Sequence, residues 1–206
     1  MYSPAFTTLF LVTTLACCAS ALASVPAPLL APALDCRAAP AGSIDELVCK
    51  DPDLAEQHRK MSELLGEAQA KTAADKEPPQ LKASQRRWLR SRNDCWKSRE
   101  RRQCVANSYR LRIADLQARY QLLEGSGPFR YACDGQGART IVVTFFPTEP
   151  ATLLAERGDR RSLMVIQPSA SGARYQSRNE SFWEHQGEAS VVWGRGSAPR
   201  RCKRVP

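Results

Sequence analysis

Apolar positions recur along this chain with two different periods. From Asp51 to Leu123 the spacing is helical. Asp51-Pro52 reads as a cap followed by proline at the first helical position. Leu54, Met61, Leu64, Leu65 and Ala68 then fall on one face, until Glu77-Pro78-Pro79 interrupts the pattern. A second helix is predicted from about Leu81 through Trp88 and Leu89 to Trp96. A third carries Val105, Tyr109, Ile113, Leu116, Tyr120 and Leu123, one continuous stripe of an amphipathic helix. After Gly125-Ser126-Gly127-Pro128 the pattern shortens. Phe129–Cys133, Thr140–Phe146, Ser162–Ile166 and Ala189–Trp193 are rich in β-branched and aromatic residues, separated by glycine, proline and asparagine. Such runs predict antiparallel strands joined by turns, closing into a small barrel or sandwich. The expected class is α+β in two domains, a small disulfide-stapled helical domain at 35–124 and a small antiparallel β-barrel at 125–206.

The N-terminal segment fits neither domain. Met1 to Ala23 holds no charged residue, has an apolar centre from Ala5 to Ala16, and ends in Ala21-Leu22-Ala23. It reads as a cleaved secretory signal, although it lacks a positive n-region, and a retained anchor is the competing reading. Cys17 and Cys18 raise lipid attachment, which the surrounding residues support weakly. Residues 24–34 are rich in proline and alanine and read as a tether. Removing the signal leaves six cysteines: Cys36, Cys49, Cys95, Cys104, Cys133 and Cys202. An even set in an exported chain is most simply disulfides. Cys133 and Cys202 would staple the barrel's edges, and the other four would pair within the helical half by any of three connectivities. No Cys-x-x-Cys occurs and the histidines are His58 and His185, so no metal site is expected.

Charge narrows the classes of partner. The formal net charge is +9. The stretch from Lys82 to Arg119 concentrates 12 basic against 3 acidic residues and includes Trp88 and Trp96. Export argues against nucleic acid as its target and leaves anionic wall polymer or lipid. No Gly-x-Ser-x-Gly elbow, metal-binding histidine pair or phosphate-cradling glycine loop appears, so neither catalysis nor a cofactor is expected.

Two resemblances cover most of the remaining chain. Tyr131–Gly135 (YACDG), Ser169–Tyr175 (SASGARY), Phe182-Trp183, Gly187–Ala189 (GEA) and the closing Cys202 resemble the family of membrane-bound or periplasmic inhibitors of C-type lysozyme. Asp35-Cys36, Val48–Ala55 (VCKDPDLA) and Gln85–Cys95 (QRRWLRSRNDC), with Cys104 beyond, resemble the LprI-type N-terminal domain of lysozyme inhibitors. The first resemblance implies that a loop enters the lysozyme cleft, where Ser171 offers its hydroxyl to the two catalytic carboxylates. Gly172 would allow the turn, with Ser169, Tyr175, Trp183 and His185 completing the lysozyme-binding set. The family's second contact is a lysine fourteen residues beyond the serine, and here that position is His185. A histidine with a reference pKa near 6.5 is mostly neutral at neutral pH, so tighter binding towards about pH 6 is expected of it.

The expected function is inhibition of a C-type lysozyme, protecting bacterial peptidoglycan from the periplasm or cell envelope. The alternative is a non-inhibitory envelope module that binds peptidoglycan or another anionic wall polymer through its basic helical half. C-type lysozymes are typically basic, so net charge favours the alternative and the motif favours inhibition.

Overall fold

The computed structural model describes residues 34–73, 78–134 and 140–206. The signal-like segment, nearly all of the tether and the Glu77 interruption lie outside the described residues. Four helices come first: α1 (Ile44–Lys50), α2 (Pro52–Ala73), α3 (Pro78–Asn93) and α4 (Arg101–Arg119). Eight strands follow: β1 (Ser126–Cys133), β2 (Thr140–Phe146), β3 (Thr152–Arg157), β4 (Arg160–Gln167), β5 (Ala173–Gln176), β6 (Glu180–His185), β7 (Glu188–Trp193) and β8 (Arg200–Val205).

The start of α2 follows the expected chemistry. Asp51 Oδ1 accepts from the backbone N–H groups of Asp53 and Leu54, both at 3.1 Å, and Pro52 opens the helix. Three features differ from expectation. The pattern predicted three helices, and α1 is a fourth, capped by Ser43 Oγ accepting from Glu46 N–H. Pro78 opens α3 rather than merely ending α2, because proline suits a first helical turn. Trp96 lies beyond α3 in a 3₁₀ turn, Asp94–Lys97, and α4 stops before Tyr120 and Leu123. The disulfides are Cys36–Cys49, Cys95–Cys104 and Cys133–Cys202. One connectivity of the three open to the helical half is thereby selected.

Leu54, Met61 and Leu65 of α2 pack with Val105, Tyr109 and Leu116 of α4, and Ile44 and Val48 of α1 close one end. Among these apolar groups Arg92 is buried with its charge. Its guanidinium donates to Tyr109 Oη at 2.8 Å, to Asn93 Oδ1 at 2.7 Å and to Asp45 Oδ1 at 2.5 Å, and it lies over the Trp88 ring. Every donor direction used here has an acceptor, as a buried charge requires. Tyr109 Oη also lies 3.1 Å from His58 Nδ1, within hydrogen-bond distance.

The strands form a closed antiparallel barrel in which each pairs with its neighbours in sequence and β8 returns to β1. Cys133 and Cys202 face each other in that last register, so the disulfide fastens the seam. Tyr131, Val143, Leu153, Met164, Phe182 and Val191 fill the interior. On the outside, α4 lies against β3 and β4, where Ala118 packs with Phe146 and Leu154, backed by Leu123 and Leu163. Strand β3 is therefore buried on both faces over its first four residues.

The His58–Tyr109–Arg92 chain carries a pH prediction. Burial, then the Arg92 charge, hold the His58 imidazole below its ordinary pKa of 6.5, with Asp45 opposing. A depressed histidine contributes stability that is complete above about pH 6.5 and lost as pH falls through its lower folded value. The thermal midpoint should therefore fall between about pH 7 and pH 5.5, and His58→Gln should flatten that part of the profile. An unchanged slope in the variant would remove His58 from the account.

Candidate functional site

The segment Pro168–Gly172 joins β4 to β5, and its exit lies alongside the end of β6. The last β4–β5 pair is Gln167 with Arg174, and the first β5–β6 pair is Ala173 with Glu184. This places the loop beside Trp183, Glu184 and His185, so a local turn in sequence becomes a three-strand corner of the barrel rim.

Gly172 is required there for two separate reasons. Its φ of +66° is a backbone state that side chains resist. A Cβ at this position would also stand 2.1 Å from the Glu184 carbonyl oxygen and 3.2 Å from His185 Cβ. Contact this close lets the loop lie flat against β6.

The tip is held through one carbonyl. Ser171 O accepts from Ser169 Oγ at 2.7 Å and from Trp183 Nε1 at 2.9 Å. Both lone-pair directions of that oxygen are used, while the Ser171 hydroxyl has no partner among the described residues and its side chain is exposed. The backbone is thus fixed and the hydroxyl is presented. A hydroxyl can both donate and accept a hydrogen bond.

Phe182 and Trp183 divide between the two faces of β6, as alternation along a strand requires. Phe182 is fully buried, edge-on to Tyr131 with centroids 5.1 Å apart, whereas Trp183 is 44% exposed. Tyr175 departs from the expected contact set. It pairs in register with Phe182, packs against Phe145 and is only 7% exposed. Its position facing Phe182 makes it a support for β5 rather than a surface for a partner. Burial holds its phenol above the ordinary pKa.

His185 is exposed at the end of β6, before a two-residue turn in which Gln186 and Gly187 have φ of 52° and 81°. Two positive values in succession are the geometry of a tight type I′ hairpin. Glu184 Oε1 accepts from Gly187 N–H at 2.8 Å and steadies that turn. Across the sheet His185 faces Glu188, and Glu188 faces Lys203 of β8, whose Nζ lies 3.3 Å from the Glu188 carboxylate. Counting fourteen residues from Ser171 finds no lysine, because Lys203 reaches this edge through the β7–β8 pairing. The two strand spacings place it about 10 Å from the His185 backbone.

The structure therefore brings Ser169, Ser171, Gly172, Trp183 and His185 to one corner and sets Tyr175 beneath it. No cluster among the described residues has the histidine, cysteine and carboxylate content of a metal site. The corner presents a hydroxyl, an exposed indole and an imidazole.

Substituting Gly172 tests this packing. Gly172→Ala should cost about 1–2 kcal/mol from the left-handed backbone alone, and displace the loop from Glu184. Denaturant unfolding and the indole N–H resonance of Trp183 would report both effects. Wild-type stability with an unshifted resonance would contradict the close approach.

Comparison with known proteins finds two kinds of similarity. Residues 131–199 match the family model described as membrane-bound lysozyme-inhibitor of c-type lysozyme. The chain is 28% identical over 176 residues to "Lipoprotein LprI" of Mycobacterium tuberculosis H37Rv, covering 85% of this chain and 87% of that protein. "Lipoprotein LprI" of Mycobacterium bovis matches to the same extent. No solved structure matches significantly. Residues 131–199 are thus similar to the c-type lysozyme-inhibitor family, and the chain as a whole is similar to LprI.

Proposed function

We propose that this protein inhibits a C-type lysozyme by inserting the Ser169–Gly172 loop into the catalytic cleft. The observation that carries this reading is the doubly bonded Ser171 carbonyl, which fixes the loop while its hydroxyl stays exposed. A loop already in its binding conformation loses little freedom on association, so more of its contact energy appears as affinity. A hydrogen bond from Ser171 to a charged carboxylate contributes about 1.5–3 kcal/mol net. That is too little for a tight inhibitor. Trp183 supplies the large rigid surface that such interfaces concentrate near their centre.

The opposing effect is charge. The barrel half, from residue 125 onward, holds 12 basic and 7 acidic residues, and a basic lysozyme would repel it at long range. The opposition is resolved locally, because the loop tip itself bears no charge and faces the acidic part of its target. The uncharged N-terminal segment, the family description and the name of the relatives support an exported, envelope-associated location, where inhibition would protect peptidoglycan.

A turbidity assay of lysozyme on cell walls tests the reading with the full chain. Ser171→Ala should weaken inhibition roughly 10- to 150-fold. Trp183→Phe keeps a ring but removes the donor to Ser171 O, and should weaken it roughly 2- to 13-fold. No inhibition by the wild-type chain would overturn the function. Full potency of Ser171→Ala would overturn the mechanism alone.

A further inference from the structure

Several exposed cations of the helical domain are ion-paired. On α1, α2 and α4, Lys50 pairs with Glu46, Arg59 with Glu56 and Glu63, Arg102 with Asp51 and Asp53, and Arg119 with Asp115. Helix α3 differs. Its 16 residues include no aspartate or glutamate, and its exposed Lys82, Arg86, Arg87 and Arg90 have no ion-pair partner among the described residues.

At 100° per residue these four side chains occupy a sector of about 140°, facing away from buried Leu81, Gln85 and Arg92. Lys82 and Arg90 are about 12 Å apart along the axis. Like charges spaced by three and four residues oppose helix formation. The arrangement therefore acts against folding unless an external anion uses it.

Immediately after α3, the loop closed by Cys95–Cys104 carries Trp96, which is 57% exposed, the largest exposure among the described large apolar side chains. Arg101 Nε donates to Trp96 O at 3.1 Å and holds the loop, while Lys97 lies 5.6 Å from the indole centroid. Arg99 is exposed beside them. Lys97 also pairs with Asp94, and Glu100 adds a second acidic group, so this end is less strongly cationic than α3.

We propose that α3 and the Cys95–Cys104 loop form a docking face for an anionic phospholipid bilayer. Arginine and lysine face the headgroup phosphates, and Trp96 enters the interfacial layer where an amphipathic indole is favoured. A linear anionic polymer would use the cations alike but would not require an exposed indole in the turn that follows the helix. That exposed ring favours the bilayer. The face lies on the helical domain, and its use does not depend on whether the barrel inhibits lysozyme.

The test is co-sedimentation of the full chain with vesicles of phosphatidylcholine alone, or with about a third phosphatidylglycerol. A second readout is quenching of tryptophan emission by brominated lipid. Binding is expected only to the anionic vesicles. The combined Lys82→Gln, Arg86→Gln, Arg90→Gln variant should lose on the order of 100-fold in affinity. Its thermal midpoint should stay equal or rise, because like-charge repulsion has been removed. Trp96→Phe should remove most of the quenching. Equal binding to neutral vesicles, undiminished binding by the triple variant, or retention on dextran sulfate without vesicle binding would each overturn the proposal.

Discussion

Closure of the sheet is the constraint on which the rest of the molecule depends. In an open eight-stranded sheet β1 and β8 would be edges, with unpaired backbone groups and no fixed relation between distant hairpins. Here Arg130–Cys133 pairs with Cys202–Val205, and the disulfide covalently fastens that seam. Closing a loop of this length removes about 4 kcal/mol of chain entropy from the unfolded state in the loop-closure picture. Every strand then has two partners, β1 and β8 included. The β4–β5 and β6–β7 hairpins lie side by side at one rim, and Lys203 reaches the edge that carries His185. A corner built by three neighbouring strands needs few residues of its own, which is why a five-residue loop and one tryptophan define it.

Docking of the helices on the barrel explains where the sequence was hardest to read. Thr152–Arg157 is buried on both faces because Leu153 and Ala155 fill the barrel while Leu154 lies under α4. Burial on both faces removes the alternation that marks a strand, and Leu-Leu-Ala-Glu-Arg suits a helix equally well. Strands β5, β6 and β8 carry a weak pattern too. The first is only four residues long, and Arg200–Val205 is mostly cationic because one of its faces is solvated. By contrast, the α4 stripe was plain, since one apolar face of a long helix packs into a single core. The missed α1 had a usable signal in Ser43-x-x-Glu46, a capping box ahead of seven helical residues.

The site was legible in proportion to how local it is. Ser171, Gly172 and the Phe182-Trp183 division follow from motif and alternation. The two donors on the Ser171 carbonyl do not, because Trp183 is twelve residues away and only strand register aligns them. Tyr175 sits within the same motif, yet register turns it inward to Phe182. The unpaired charge of α3 was visible as composition, while its separation from the ion-paired cations needed the packed helices. The two domains accordingly present different chemistry, a neutral pinned tip on the barrel and a cationic face on the bundle.

Hydrogen–deuterium exchange of the full chain, with and without C-type lysozyme, tests the central claim most directly. The account predicts added protection at residues 168–172 and 183–187, the corner built by β4, β5 and β6. It predicts no change at 177–179 and 194–199, which lie at the opposite end of the barrel. Protection confined to the helical domain or to that opposite end would contradict it.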